Sequence, residues 1–288
     1  MSFQGVIGKI YGELGLQWFE NLPQQIEKIS KKYNLSPLKP IPNLTHHYVL
    51  SGYQNNKSII LKLGFDSKDL DTESKSLKLF EGFGAVHLLA AEKGMILLEK
   101  LEPGTTLKNF SSIHKNKIEI ACGLLSEMKH APISYQDKFP SLNDWLVILD
   151  QPWPIPELYL EKARHLKTKL LNRAYPIRLI HGDFHDENIL FGENKWWFID
   201  PKPVIGSPEY DVATFIRNSL QGSLSKDTDL NNIKLQVQSF SNLLGMEFDQ
   251  LKQWCFLQSI LAWVWAIEDN MEKVFYQEFC ELFFNLNN

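Results

Sequence analysis

Asp183, Asn188 and Asp200 have the residue types and spacing for metal-assisted proton abstraction. They lie in the stretch LIHGDFHDENILF at residues 179–191 and in the FIDP that follows at 198–201. Apolar runs on both sides of a polar loop read as strands. The layout therefore predicts a strand that ends at the loop carrying Asp183 and Asn188, and a hairpin that returns Asp200 beside them. Two carboxylates and one amide oxygen suit Mg²⁺, which prefers hard oxygen ligands. Phosphoryl transfer needs such a set: a metal to neutralise charge on the transferring phosphate, and a separate carboxylate to orient the attacking hydroxyl and accept its proton. On that logic Asp183 is the base, and Asn188 and Asp200 hold the metal. The Asp-x4-Asn spacing is that of the protein-kinase catalytic loop, with Gly182 where those enzymes have arginine.

Two other readings of the same residues stay open. His181 and His185 flank Asp183 in an HxDxH pattern able to ligate a transition metal, although that leaves Asn188 and Asp200 without a task. His181 also reads as a loop histidine that hydrogen-bonds backbone.

The elements around this loop divide the chain. Residues 14–33 carry Leu14, Trp18, Leu22, Ile26 and Ile29 near a helical period. Three prolines in residues 36–42 then impose an extended connector. Strands are expected at 47–50 and 58–63 around a turn at 52–57 that includes Gly52, followed by a helix at 69–81 and strands at 86–90 and 94–99. Pro103-Gly104 breaks the chain. Beyond it, helices are expected at 112–130, 141–149, 157–173, 210–220, 232–243 and 251–286, the last with interruptions. The fold class is α+β. An N-terminal lobe spans residues 1–100, with a helical segment at 1–35 and an antiparallel sheet, and a larger, mainly helical lobe spans 101–288.

Composition excludes several classes. A formal charge of −4 over 288 residues lacks the basic footprint that nucleic-acid binding requires. Cys122, Cys255 and Cys280 are an odd set without CxxC spacing, which argues against disulfides and zinc. The N-terminus does not read as a signal peptide, and the apolar run at 260–267 is too short to span a bilayer. The expectation is a cytoplasmic protein without membrane or nucleic-acid partners.

HGDFHDENIL and FIDPKPVIGSPEYDVATFIRN resemble the aminoglycoside phosphotransferase family of the kinase-like superfamily, nearest its streptomycin 6-kinase and hydroxyurea phosphotransferase branch. The likeness extends to LLEKLEPGTTL at 97–107, to Trp18 and Leu22-Pro23, and to AWVWAIEDN near the end. It implies a bilobal protein-kinase-like fold, ATP and Mg²⁺ as cofactors, and a cationic or polyhydroxylated small-molecule acceptor. Carried over by residue, Lys62 is the strand lysine that contacts the α/β-phosphates. Glu73 is its partner, sharing a helical face with Leu77 and Phe80, with Glu81 as the alternative and a plain surface glutamate also open. Glu99, Lys100 and Leu101 correspond to the adenine hinge. The loop at 42–47 departs from the glycine-rich pattern, and because the small-molecule kinases resembled here often carry hydroxyl residues in its place, the resemblance implies Thr45 as a phosphate ligand. Asp211 corresponds to an aspartate that ties the catalytic loop to the next helix, Lys202 either contacts phosphate or is solvated, and Arg217 is structural.

The resemblance places the acceptor against the C-terminal helices, near Trp265, Glu268 and Asp269, with Trp263 and Glu272 close by. Aromatic faces beside carboxylates suit a guanidinium or amine. The alternative is a helix core with a solvated acidic end. Three functions follow: a kinase of streptomycin or a related aminoglycoside, a kinase of a housekeeping amino alcohol or sugar, and a catalytically weak binding protein. Protein-kinase activity ranks last, because residues 200–211 leave little room for an activation segment.

Overall fold

The computed structural model describes residues 2–42, 47–111, 116–133, 137–173, 178–220 and 229–286. The chain divides into two compact units, Met1–Gly104 with Phe191–Lys195, and Thr105–Leu190 with Trp196–Asn288.

The first unit opens with helix α1 (Phe3–Tyr33), interrupted at Gly12, whose φ of 60° and ψ of −145° are not helical. The expected helix at 14–33 is its second part. A preceding helical segment, unread from the sequence, is capped by Ser2 and held by Phe3, whose ring lies 5.3 Å from that of Tyr48. Strands β1 (Lys39–Pro40), β2 (Tyr48–Gln54) and β3 (Lys57–Leu63) lead to helix α2 (Ser67–Leu79), and β4 (Leu88–Glu92) and β5 (Met95–Glu99) follow. The five strands form one antiparallel sheet in the order β1-β2-β3-β5-β4.

The turn between β2 and β3 is shorter than expected. It is Asn55-Asn56, with φ of 49° and 66°, the left-handed pair that fits the twist of a two-residue hairpin. Gly52 is therefore not a turn glycine. It sits inside β2 opposite Ile59, and a Cβ there would lie 2.5 Å from the carbonyl oxygen of Pro37. The connector's close approach requires glycine at this position.

Alternation along β3 sorts its side chains. Ile59, Leu61 and Leu63 face a core with Leu50, Met95, Leu97, Leu22 and Leu35, against which Trp18, Phe19, Ile26 and Ile29 of α1 pack. Lys62, between two of these leucines, points to the opposite face. Each fully buried leucine contributes roughly 1.5–3 kcal/mol, so slipping β3 by one residue is strongly disfavoured.

Strand β6 (Pro103–Thr106) lies where the first unit gives way to the second. Helices α3 (Lys117–Met128) and α4 (Leu142–Leu146) follow; α4 runs on into a 3-10 turn at Val147–Asp150, and α5 (Glu157–Leu171) comes next. Strand β7 (Leu179–Ile180) leads into the loop that carries Asp183, and β8 (Ile189–Gly192) and β9 (Lys195–Phe198) form the returning hairpin. β10 (Val204–Ile205) then pairs antiparallel with β7.

The chain closes with α6 (Glu209–Ser219), α7 (Asp229–Leu244), α8 (Phe248–Glu268) and α9 (Val274–Leu286). The expected stretch at 251–286 is thus two helices, parted at Asn270, whose φ of 52° no helix continues. Helix α8 is apolar on all sides because α5, α6, α7 and α9 surround it. All three cysteines are buried and free. Among the described residues no helix is long and apolar enough to cross a membrane.

Candidate active site

Hydrogen bonds to backbone hold the loop that carries Asp183. Asp211, in the first turn of α6, is fully buried and receives the amide hydrogens of His181 and Gly182, one on each carboxylate oxygen, both at 2.8 Å. Burial pushes its carboxyl up to about 7, against the pull of those two amides. The His181 ring serves two partners. Its Nε2 is 2.9 Å from the Ile199 carbonyl oxygen, and its Nδ1 accepts the Asp183 amide hydrogen at 3.2 Å. That network assigns a neutral ring with the proton on Nε2. Burial, the largest cause, lowers its pKa to about 4. With both nitrogens engaged, His181 has none left for a metal. Among the described residues no three His, Cys, Asp or Glu side chains gather as a metal site.

Gly182 explains the departure from arginine at that place. Its φ is 78°, and a Cβ there would lie 2.0 Å from the Lys202 carbonyl oxygen and 2.8 Å from Cη2 of Trp145. Both the conformation and the space demand glycine.

The Asp183 side chain is a quarter exposed, with Lys202 Nζ 2.9 Å from Oδ2 and His185 Nε2 3.9 Å from Oδ1. Burial pushes its carboxyl up, but the Lys202 ammonium, then the His185 and His181 rings, pull harder and hold it below the usual carboxylate range. Lys202 thus reaches the aspartate from a largely exposed position.

Asn188 donates its side-chain N–H to the Asp183 carbonyl at 3.0 Å, which leaves its amide oxygen as the outward end. Its own carbonyl accepts the Ile199 amide at 2.9 Å, so the hairpin brings Asp200 next to it. Asp200 is held in the left-handed region, with a φ of 56°. One carboxylate and one oriented amide oxygen fit Mg²⁺, which usually keeps waters and takes only one or two protein carboxylates besides phosphates.

In the first unit, Lys62 and Glu73 form a buried ion pair with Nζ 2.8 Å from Oε1. Glu73 reaches Lys62 because it lies on the buried face of α2 with Leu70 and Leu77, whereas Glu81 lies past the helix end and is exposed. In the stretch expected as the adenine hinge, the Glu99 amide donates to the His87 carbonyl and the Lys100 amide to that of Ser58, both at 3.0 Å. Of these three residues, only Leu101 keeps an amide not engaged in these bonds. Thr45 lies outside the described residues.

Of the residues expected to meet the acceptor, the two tryptophans part company. Trp263 is buried in the α8 core, and Trp265 is partly exposed. Glu268 and Asp269 are exposed at the α8 C-terminus, one turn beyond Trp265 and on its face. The sequence reading missed Trp145, which joins Trp265 to the Asp183 loop: its ring centroid lies 5.9 Å from that of Trp265. The S-x-x-D cap at 141–144 signals the helix start, but nothing in the sequence signals the neighbours of Trp145. A cavity of about 490 Å³ opens elsewhere in this unit, lined by Lys129, Arg173, Arg178 and Glu209 among others and by no residue of the catalytic loop.

A family model described as aminoglycoside/hydroxyurea antibiotic resistance kinase matches residues 48–270. The chain is 23% identical over 273 residues to the hydroxyurea phosphotransferase of Kitasatospora aureofaciens, a match covering 90% of this chain and 77% of that protein. It is 25% identical over 235 residues to the streptomycin 3''-kinase of Klebsiella pneumoniae, covering 78% and 87%. Among solved structures, an amicoumacin kinase in complex with AMP-PNP and Ca²⁺ matches with a TM-score of 0.68 at 13% identity, covering 91% of each chain. That last likeness is one of fold, the α+β protein-kinase-like fold expected from the sequence.

Proposed function

Because the chain belongs to the aminoglycoside/hydroxyurea antibiotic resistance kinase family, and is therefore a phosphotransferase, we propose that it moves the γ-phosphate of ATP to a hydroxyl of a small cationic molecule. The observation that carries this reading is the Asp183 loop. Asp211 clamps its backbone, Asn188 ties back to it, and Asp183 is kept ionised yet mostly shielded. A base for an alcohol must be deprotonated, positioned and partly dehydrated.

In the proposed reaction Asp183 orients the acceptor hydroxyl and takes its proton as the new O–P bond forms. The bond from the γ-phosphorus to the β,γ-bridging oxygen breaks, and ADP leaves with that electron pair. Asn188 and Asp200 hold Mg²⁺, which when bound neutralises charge on the transferring group. Lys62, kept in place by Glu73, contacts the α/β-phosphates. Thr45 is assigned to phosphate, and residues Glu99 to Leu101 to the adenine, with the Leu101 amide as donor.

Trp265, Glu268 and Asp269 take the acceptor. Two acids at a helix C-terminus meet the negative end of the macrodipole, an arrangement that costs stability. A cationic ligand there offsets that cost and gives the two carboxylates a role. Streptomycin and hydroxyurea, the acceptors named for the two relatives, are the first to try.

The test is Mg²⁺-dependent ADP formation by purified protein with streptomycin, hydroxyurea, an amino alcohol and a sugar. Acceptor-stimulated turnover is expected with a cationic member of the panel, and Asp183→Asn should lower it about 10²–10⁴-fold while retaining nucleotide binding. Undiminished turnover in Asp183→Asn would remove Asp183 from the chemistry. A wild type that binds MgATP and phosphorylates nothing in the panel would favour the binding-protein reading.

A further inference from the structure

Resting on the acceptor reading above, we propose that Trp145 is a specificity-determining residue which, with Trp265, forms an aromatic corner that holds the cationic group of the acceptor beside Asp183. Trp145 is remote in sequence from every other residue assigned to the site.

Three observations place it there. First, Cη2 of Trp145 would lie 2.8 Å from a Cβ on Gly182, the residue just before the base. The indole edge therefore abuts the catalytic loop. Second, its ring centroid lies 5.9 Å from that of Trp265 with the planes at 77°. Both rings are partly exposed, and two nearly perpendicular indoles offer a π face and an edge to one guest. Third, Trp145 is anchored from behind. Tyr210, fully buried, lies 5.8 Å from it and 6.3 Å from Trp254, which is itself 1% exposed.

The supporting helix is equally fixed. Ser141 and Asp144 cap α4 reciprocally, and Ser141 bridges to Ile205 of β10. β10 pairs with β7, the strand that delivers His181 and Asp183. The loop and Trp145 therefore hang from one short sheet, so their spacing is set by backbone pairing. A ring whose sole task was to fill core would be covered. This one packs on buried Tyr210 yet stays partly exposed, against the glycine that precedes a carboxylate. Indole faces bind ammonium and guanidinium groups through the ring quadrupole, most strongly where water is partly excluded. With Glu268, one turn beyond Trp265, supplying negative charge and Asp183 sharing its own with Lys202, the corner selects a cation over a neutral acceptor chiefly through the two indole faces.

The experiment compares wild type, Trp145→Phe and Trp145→Leu. Phe keeps a π face, and Leu keeps apolar volume without one. Streptomycin, a guanidinium-bearing probe, is titrated calorimetrically without nucleotide, and KM and kcat are then measured for streptomycin and hydroxyurea. Trp145→Leu should weaken streptomycin binding and raise its KM about 5- to 30-fold. Trp145→Phe should restore most of that loss, and the hydroxyurea KM should move less than about threefold in either variant. Losses equal for both acceptors, or confined to kcat, would make Trp145 a strut for Gly182 and overturn the proposal. Failure of the wild type to bind streptomycin would overturn it as well. Binding that depends on Trp145 without any phosphate transfer would uphold this inference and sink streptomycin as the phosphorylated acceptor instead.

Discussion

His181 shows how one side chain can set the state of a loop without touching substrate. Its Nδ1 must stay unprotonated to accept the Asp183 amide, and its Nε2 must keep a proton for Ile199. Protonation would place two donors face to face, a penalty added to that of burial. The ring should therefore titrate near 4, where the ordinary value is 6.5, and ¹⁵N chemical shifts should show the Nε2–H tautomer throughout the neutral range. A ring that titrates near 6.5 would disprove the assigned network. The sign for stability follows from linkage: with a depressed folded pKa, the His181 contribution is complete above about 6.5 and is lost as pH falls toward 4, a loss on the order of 3 kcal/mol. Asp211 works the other way. Its raised pKa lets the folded state hold a proton that the unfolded state has released, so its contribution declines as pH rises from about 4 to 7. The two slopes oppose each other, and the ring shifts separate them where a bulk melting curve cannot.

At the scale of elements, the β3–α2 pair decides whether Lys62 is usable. The alternation of β3 commits Ile59, Leu61 and Leu63 to the α1 side and forces Lys62 to the other face, where α2 delivers Glu73. Burying both charges is costly unless they pair, so Glu73→Ala should destabilise the protein by about 3–5 kcal/mol by removing this carboxylate from a buried ammonium. The double variant Lys62→Met/Glu73→Leu fills the same space with apolar atoms and should recover most of that stability while remaining inactive. Denaturant titration beside an ADP-release assay checks both halves. A double variant as unstable as Glu73→Ala would mean that packing, and not charge, governs the site. Equal activity in the double variant and the wild type would remove Lys62 from the nucleotide.

For the whole molecule, the assigned roles fall in both compact units. Lys62, Glu73 and residues 99–101 belong to the first, and Asp183, Asn188 and Asp200 to the second. A ligand that binds only the folded state stabilises it by RT ln(1 + [L]/Kd), about 2.7 kcal/mol at a hundredfold excess over Kd. MgATP at that excess should raise the melting midpoint by roughly 5 °C or more. EDTA should abolish most of the rise, and so should Asp200→Ala. A shift that Asp200→Ala leaves intact would show that Asp200 does not hold the metal.

The loop at 179–200 was legible in the sequence because its chemistry is local. Asp183, Asn188 and Asp200 sit on one strand–loop–hairpin, where short-range spacing alone restricts the geometry. Lys62 and Glu73 were legible for a related reason, since strand alternation and helical period place them in predictable faces of neighbouring elements. The helical segment before Gly12 and the in-strand position of Gly52 were not legible, because Phe3 and Pro37 define them through contacts with distant residues. The same holds for the split between Trp263 and Trp265. Their helix is apolar all round, and only the four helices packed against it determine which indole is covered. Trp145 is the clearest case. Its place beside Gly182 depends on the pairing of β10 with β7, a contact between segments that no periodicity encodes. The sequence by itself determined the reaction class, because catalytic groups must recur at fixed local spacing. Tertiary structure decided which surface stands next to them, because packing brings together residues whose separation along the chain carries no signal.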